Sequence, residues 1–286
     1  MTTYTYELID PPGSTYTLAD SINDKGQIVG LYQNGSGKQY GFLDSNGSYT
    51  TIVPPGSNES AAYGINAEGQ IIGVYSPPPG DTGDQGFLYS HGIYTTIDPP
   101  SSNSTFLTSI NDKGQIVGSY RDINDGYDHG FLYSHGNYTI LNVPGATQSS
   151  AAAINAHGEI VGFYSGSNGP HSGFLYSGGV YTTIDFPGSF STDLTGINGN
   201  GEIVGYFTDA SGGLPHGFIY DHGTYTRLDF PGAVDTEPTS INASGEVVGF
   251  YQNGVAGLGI TSDHGFESAA TQWSRKQHRD DATAGC

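Results

Sequence analysis

The stretch Ile22-Asn23-Asp24-Lys25-Gly26-Gln27-Ile28-Val29-Gly30 decides the fold, because it returns from Ile65, Ile110, Ile154, Ile197 and Ile241. Every copy keeps the form Ile-Asn-x-x-Gly-[Gln/Glu]-[Ile/Val]-[Val/Ile]-Gly, at spacings of 43, 45, 44, 43 and 44 residues. Each copy reads as a β-hairpin. Apolar residues flank a short turn that ends in Gly, which suits a type I turn with a Gly bulge. Asn at the first turn position caps the turn backbone with its side chain, so the six Asn (Asn23, Asn66, Asn111, Asn155, Asn198, Asn242) read as structural.

Two further strings keep step with the first. Gly-Phe begins at Gly41, Gly86, Gly130, Gly173, Gly217 and Gly265. Tyr-Thr-x-[Ile/Leu] begins at Tyr49, Tyr94, Tyr138, Tyr181 and Tyr225, with a sixth copy of this segment at the N-terminus, Tyr4 to Gly13. Between them lie x-Gly pairs (Ser45–Gly47, Ser90–Gly92, Ser134–Gly136, Asp221–Gly223) that supply the positive-φ positions of type I′ turns. No stretch has the 3.6-residue apolar period of a helix.

Four short strands in about 44 residues, repeated six times, are the size of a propeller blade array. The expected fold is all-β: a six-bladed β-propeller with four antiparallel strands per blade. Pairing of the N-terminal strand, Tyr4–Asp10, with the C-terminal blade would close the ring and remove its open edges. The expected domain is 1–267, with repeat cores near 22–56, 65–100, 110–145, 154–188, 197–232, and 241–266 plus 4–13. Residues 268–286 read as a polar tail without a role.

Composition narrows the partners. Among 286 residues there are 8 Lys+Arg against 28 Asp+Glu, a formal net charge of −20, and three of the cations (Arg275, Lys276, Arg279) sit in the tail. Such a surface repels a phosphate backbone or an anionic leaflet, so neither nucleic acid nor membrane is expected as a partner. No apolar run approaches the roughly 18 residues of a membrane span. The N-terminus lacks the basic start and apolar stretch of a signal peptide. The one Cys, Cys286, rules out an intramolecular disulfide. A monomer that binds carbohydrate or another neutral small molecule, with no cofactor, is the expectation.

The joint occurrence of Ile-Asn-x-x-Gly-Gln-Ile-Val-Gly-x-Tyr, His-Gly-Phe-Leu-Tyr-Ser and Tyr-Thr-Thr-Ile-Asp-x-Pro-Gly resembles the HAF family of extracellular repeats. That family is named for a His-Ala-Phe tripeptide, which here reads His-Gly-Phe at His129, His216 and His264. The resemblance covers residues 4 to about 266. It implies a bacterial, propeller-like and exported protein, and it brings no catalytic residues.

Hairpin arithmetic places the side chains. A turn at His222-Gly223 sets Tyr220 opposite Tyr225, Phe218 opposite Arg227 and His216 opposite Asp229. The same reasoning sets Gln85 opposite Asp98, Ser172 opposite Asp185, His129 opposite Asn142 and, by analogy, His264 opposite Asp10. The second strands end in aromatics on this same rim: Tyr32, Tyr75, Tyr120, Tyr164, Phe207 and Tyr251. The loops that follow vary most in length and composition, which is where rigid scaffolds place recognition. His91, His135, His157 and His222 fall in tight turns and read as turn residues.

The candidate ligand-binding set is therefore Tyr120, Arg121, Tyr127, His129, Phe207, His216, Tyr251, His264, Asp10 and Asp229. The lead function is a lectin-like, multivalent carbohydrate binder, since flat aromatic faces beside hydrogen-bonding groups suit sugars. An alternative is a hydrolase or lyase with a single site, using His129, His216 or His264 as base, Asp229 or Asp10 as orienting group, and Tyr120 or Tyr127 as proton donor. A scaffold protein without a small ligand is the third. For metal, Asp122, Asn124 and Asp128 have part of the spacing of a calcium loop but lack its distal Glu.

Overall fold

The computed structural model describes residues 9–78, 83–167 and 169–252, and the backbone of 263–268. The chain is all-β, built of six antiparallel blades, and no helix occurs among the described residues. Blade one has strands Ser14–Ile22, Gln27–Asn34, Gln39–Ser45 and Ser48–Ile52, paired in sequence order. Blades two to five repeat that meander within 59–97, 102–140, 148–183 and 191–227. Blade six shows three strands, Asp235–Ile241, Val247–Gln252 and Asp263–Ser268. The N-terminal strand expected to complete it begins at Tyr4, and residues 1–8 lie outside the described residues, as does the tail from 269. The chain divides into two compact units, blades one to three (residues 1–141) and blades four to six (142–286).

Each repeated residue has a packing duty. The third-strand Phe (Phe42, Phe87, Phe131, Phe174, Phe218) is fully buried in every blade where it is described, an apolar burial of about 1.5–3 kcal/mol each. The Gly before it lets the next blade approach. A Cβ on Gly173 would lie 2.5 Å from the Ile184 carbonyl oxygen and 2.7 Å from Leu194 of blade five. The fourth-strand Tyr holds the preceding connection: Tyr94 accepts the Val53 N–H at 3.0 Å, and Tyr138 accepts that of Asp98 at 2.8 Å.

The hairpin Asn does two jobs. Asn66 Oδ1 accepts the Gln70 N–H at 2.9 Å, closing its own turn, while its Nδ2 donates to the Asn111 carbonyl of blade three at 3.1 Å. Within the first unit the same bond runs from Asn23 to Asn66. Within the second it runs from Asn155 to Asn198 and from Asn198 to Asn242. The structural reading of these Asn thus acquires an inter-blade component that the turn signature alone did not reveal.

Every first strand carries a β-bulge near its end. The bulged residues are Asp20, Tyr63, Thr108, Ala152, Thr195 and Thr239. A bulge disrupts the local ladder, and the Thr side chains repair it by donating to second-strand carbonyls. The distances are 3.2 Å for Thr108 to Val117, 3.3 Å for Thr195 to Val204 and 3.2 Å for Thr239 to Val248.

Candidate functional site

In blades one, two and four the rim is closed by the repeat itself. The Tyr at the end of the second strand reaches across to a fourth-strand Thr: Tyr32–Thr51 at 3.2 Å, Tyr75–Thr96 at 3.1 Å, Tyr164–Thr183 at 2.9 Å. Blade five replaces both partners, Tyr by Phe207 and Thr by Arg227. The lost hydroxyl pair is replaced by a charged cluster. Arg227 Nε donates to Asp229 Oδ2, and its Nη2 donates to His216 Nδ1 at 2.7 Å. His216 Nδ1 also lies 3.3 Å from Asp229 Oδ1. Since guanidinium has no acceptor, Nδ1 must be the accepting nitrogen, which puts the ring proton on Nε2. The Arg227 guanidinium sits 5.9 Å from the Phe207 ring centroid, and the Phe207 ring stacks against Phe186 from the preceding connection.

The structure thus brings together three residues expected at one site (Phe207, His216 and Asp229) and adds Arg227, whose register opposite Phe218 had been read only as pairing. Phe207 is corrected in role. At 5% exposure it supports Arg227 from below rather than offering a face to a ligand. The same correction holds for Tyr120, also 5% exposed, which packs with Phe131 and Leu107 in the core. Both fall into the core because the ends of these second strands are covered by the neighbouring strand and connection. Tyr251 is half-buried, with its ring against Phe230 at 3.8 Å.

Blade three closes its histidine differently. His129 Nε2 pairs at 3.0 Å with Asp125 Oδ2, from the loop after the second strand. The Tyr127 N–H, donated to Asp125, together with His129, holds that carboxyl below its usual range. Arg121 stands 3.4 Å from both Asp128 oxygens. Asp122 Oδ1 accepts the Asn124 N–H and its Nδ2, each at 2.7 Å. The candidate cation ligands Asp122, Asn124 and Asp128 are therefore engaged in the loop's own bonds. Among the described residues, no three His, Cys, Asp or Glu side chains converge as a metal site. Asp10 accepts from Thr17 Oγ1 at 3.0 Å and from Ser14. His264 pairs with Tyr251 in strand register, and its side chain lies outside the described residues.

Sequence reasoning missed His171. It precedes the third strand of blade four, and its Nδ1 lies 2.8 Å from Asp193 Oδ1 on the first strand of blade five. The imidazole is stacked on Phe163, centroids 4.5 Å apart and planes 16° from parallel. Its backbone is pinned on both sides: the N–H donates to Ser191 Oγ at 3.1 Å, and the carbonyl accepts the Thr192 N–H at 3.0 Å. The hydrogen bond to Asp193 raises the His171 pKa, partly offset by burial. Tyr206 pairs with Asp193 in strand register. Burial and the charges of Asp193, Glu237 and Asp235 push its phenol pKa up, so it stays protonated. The available signal was Asp193 itself, an acid at a first-strand position that holds Leu18, Ala61, Phe106 and Ser150 in blades one to four and another acid, Glu237, in blade six.

No family model matches the chain, and no curated protein matches it in sequence. Solved structures do match in fold. The β-propeller domain of the Trilobed protease from Pyrococcus furiosus aligns with TM-score 0.59 at 13% identity, over 89% of this chain and 81% of that one. The SapL1 lectin in complex with α-methyl fucoside aligns with TM-score 0.52 at 13% identity, over 89% and 94%. AofleA from Arthrobotrys oligospora aligns with TM-score 0.51 at 13% identity, over 90% of each chain. Together with five four-stranded sheets and a sixth of which three strands are described, these likenesses establish the β-propeller fold.

Proposed function

We propose that this chain is a carbohydrate-binding β-propeller and that the blade-five rim holds its principal sugar site. One observation carries the reading. Blade five exchanges the hydroxyl pair that closes the rim of blades one, two and four for Arg227, His216 and Asp229. Arg227 and the His216 Nε2–H are donors for sugar oxygens, while Asp229 holds Arg227, which in turn donates to His216 Nδ1. Because Asp229 neutralises Arg227, the site suits an uncharged saccharide. A lectin of the same fold carries α-methyl fucoside, which makes that glycoside the first ligand to try. The Ile-Asn-x-x-Gly and His-Gly-Phe strings support grouping the chain with the HAF repeats.

The test is native electrophoresis through gels containing neutral polysaccharides, followed by calorimetric titration with methyl α-fucoside and other monosaccharides. Retardation that Arg227→Ala abolishes, with the melting transition retained, is the expected result. Free migration of the unaltered protein in every gel and no heat with any sugar would overturn the proposal.

A further inference from the structure

In a repeat protein, a contact that the fold requires recurs from blade to blade. The His171–Asp193 pair does not recur. The positions matching His171 hold Gln39, Asp84, Asp128 and Pro215, and those matching Asp193 hold Leu18, Ala61, Phe106, Ser150 and Glu237. Two departures from the repeat therefore meet at one blade junction, 2.8 Å apart. We propose that His171, oriented by Asp193, is a general-base centre that hydrolyses short-chain carboxylic esters, separate from the rim site of blade five.

The geometry has the parts such a centre needs. Asp193 is a sequestered carboxylate, its side chain 8% exposed, and it fixes the proton on Nδ1. Nε2 is then the basic nitrogen, on a side chain that keeps 35% of its surface open to solvent. Stacking on Phe163 and the two backbone bonds hold the ring in one orientation. Nε2 takes a proton from water as the water oxygen forms its bond to the ester carbonyl carbon. The tetrahedral adduct then expels the alcohol oxygen, which receives that same proton from the imidazolium. Ester and water become acid and alcohol, and the base is restored. Tyr206, kept protonated by burial and by the neighbouring carboxylates, stands opposite Asp193 in strand register. Glycoside hydrolysis is the less fitting chemistry, since it is ordinarily run by two carboxyls flanking the bond.

The experiment is steady-state hydrolysis of p-nitrophenyl acetate by the full chain from pH 5 to 9. The expected rate rises with pH as His171 loses its proton. His171→Asn should lower it at least about tenfold, and His171→Gly should regain rate on addition of imidazole, a rescue that a merely structural histidine would not show. Asp193→Asn should move the midpoint of the pH profile to lower pH, while His91→Asn, in an exposed turn, leaves the rate unchanged. Hydrolysis no faster than the same concentration of free imidazole would overturn the proposal. So would a folded His171→Asn variant with undiminished rate.

Discussion

Phe186 and Phe207 lie face to face, ring centroids 3.8 Å apart and planes 2° from parallel, although they come from neighbouring blades. Phe186 lies in the connection leaving blade four, and Phe207 stands near the end of the second strand of blade five. Phe230 and Tyr251 repeat the arrangement one blade on, at 3.8 Å and 11°. The stack both joins two blades and supports Arg227. Phe186→Ala is therefore expected to cost about 1–3 kcal/mol, less than a fully buried Phe because Phe186 is half-buried. Urea denaturation of variant and parent measures the loss, and sugar retention should weaken along with it.

The inter-blade Asn sets a second expectation. Asn66 is 3% exposed, and Asn66→Ala removes both its bond to the Asn111 carbonyl and its cap on Gln70. The Asn111 carbonyl keeps the Gly114 N–H at 3.0 Å, so the loss is that of the inter-blade bond and the turn cap together, about 1–3 kcal/mol. Asn23→Ala, at a more accessible turn, should cost less. Equal midpoints for the two variants in chemical denaturation would contradict this account.

Asp20 stands where Thr108, Thr195 and Thr239 repair their bulges. Surrounding protein strips water from its carboxyl and pushes the pKa up to about 7, while solvent access on one side screens the effect. The folded state then holds a proton that the unfolded chain releases near 3.8. Stability attributable to this group falls as pH rises from about 4 to 7. Asp20→Thr should raise the melting temperature at pH 8 and change it little at pH 4.

His171 gives the opposite entry into the same kind of measurement. Its folded pKa lies above the unfolded value of 6.5, because protonated imidazole gains the Asp193 bond. The contribution is complete below that unfolded value and is lost as pH rises through the folded one. With about a third of the side chain exposed, the effect should be a few tenths to about 1 kcal/mol. Denaturation midpoints at pH 5.5 and pH 9 should differ more for the parent than for His171→Asn.

Much of this was readable beforehand, for a local reason. Turn-centred arithmetic needs only the chain itself, so Tyr220 opposite Tyr225, Phe218 opposite Arg227 and the approach of His216 to Asp229 were all accessible. Contacts between blades were not. Whether Tyr120 faces solvent or core depends on the neighbouring strand and loop, which no pairing rule places. His171 escaped because the rim position in its blade is Ser172, while its partner sits in the next repeat, 22 residues on. Arg227 was visible as a departure from Thr, but only its bonds to His216 and Asp229 give that departure a meaning.

The Asn-to-carbonyl bond also bears on how such a chain could have arisen. Both partners of the bond sit at the same position of the repeat, a side-chain amide on one copy and a main-chain carbonyl on the next. A duplicated segment of about 44 residues therefore arrives already equipped to attach to its parent, with no compensating substitution. Copy number could grow by unequal exchange while each junction stayed sound from the first generation. Divergence would then be free to act elsewhere, at residues such as Arg227 and His171 that the joint never uses.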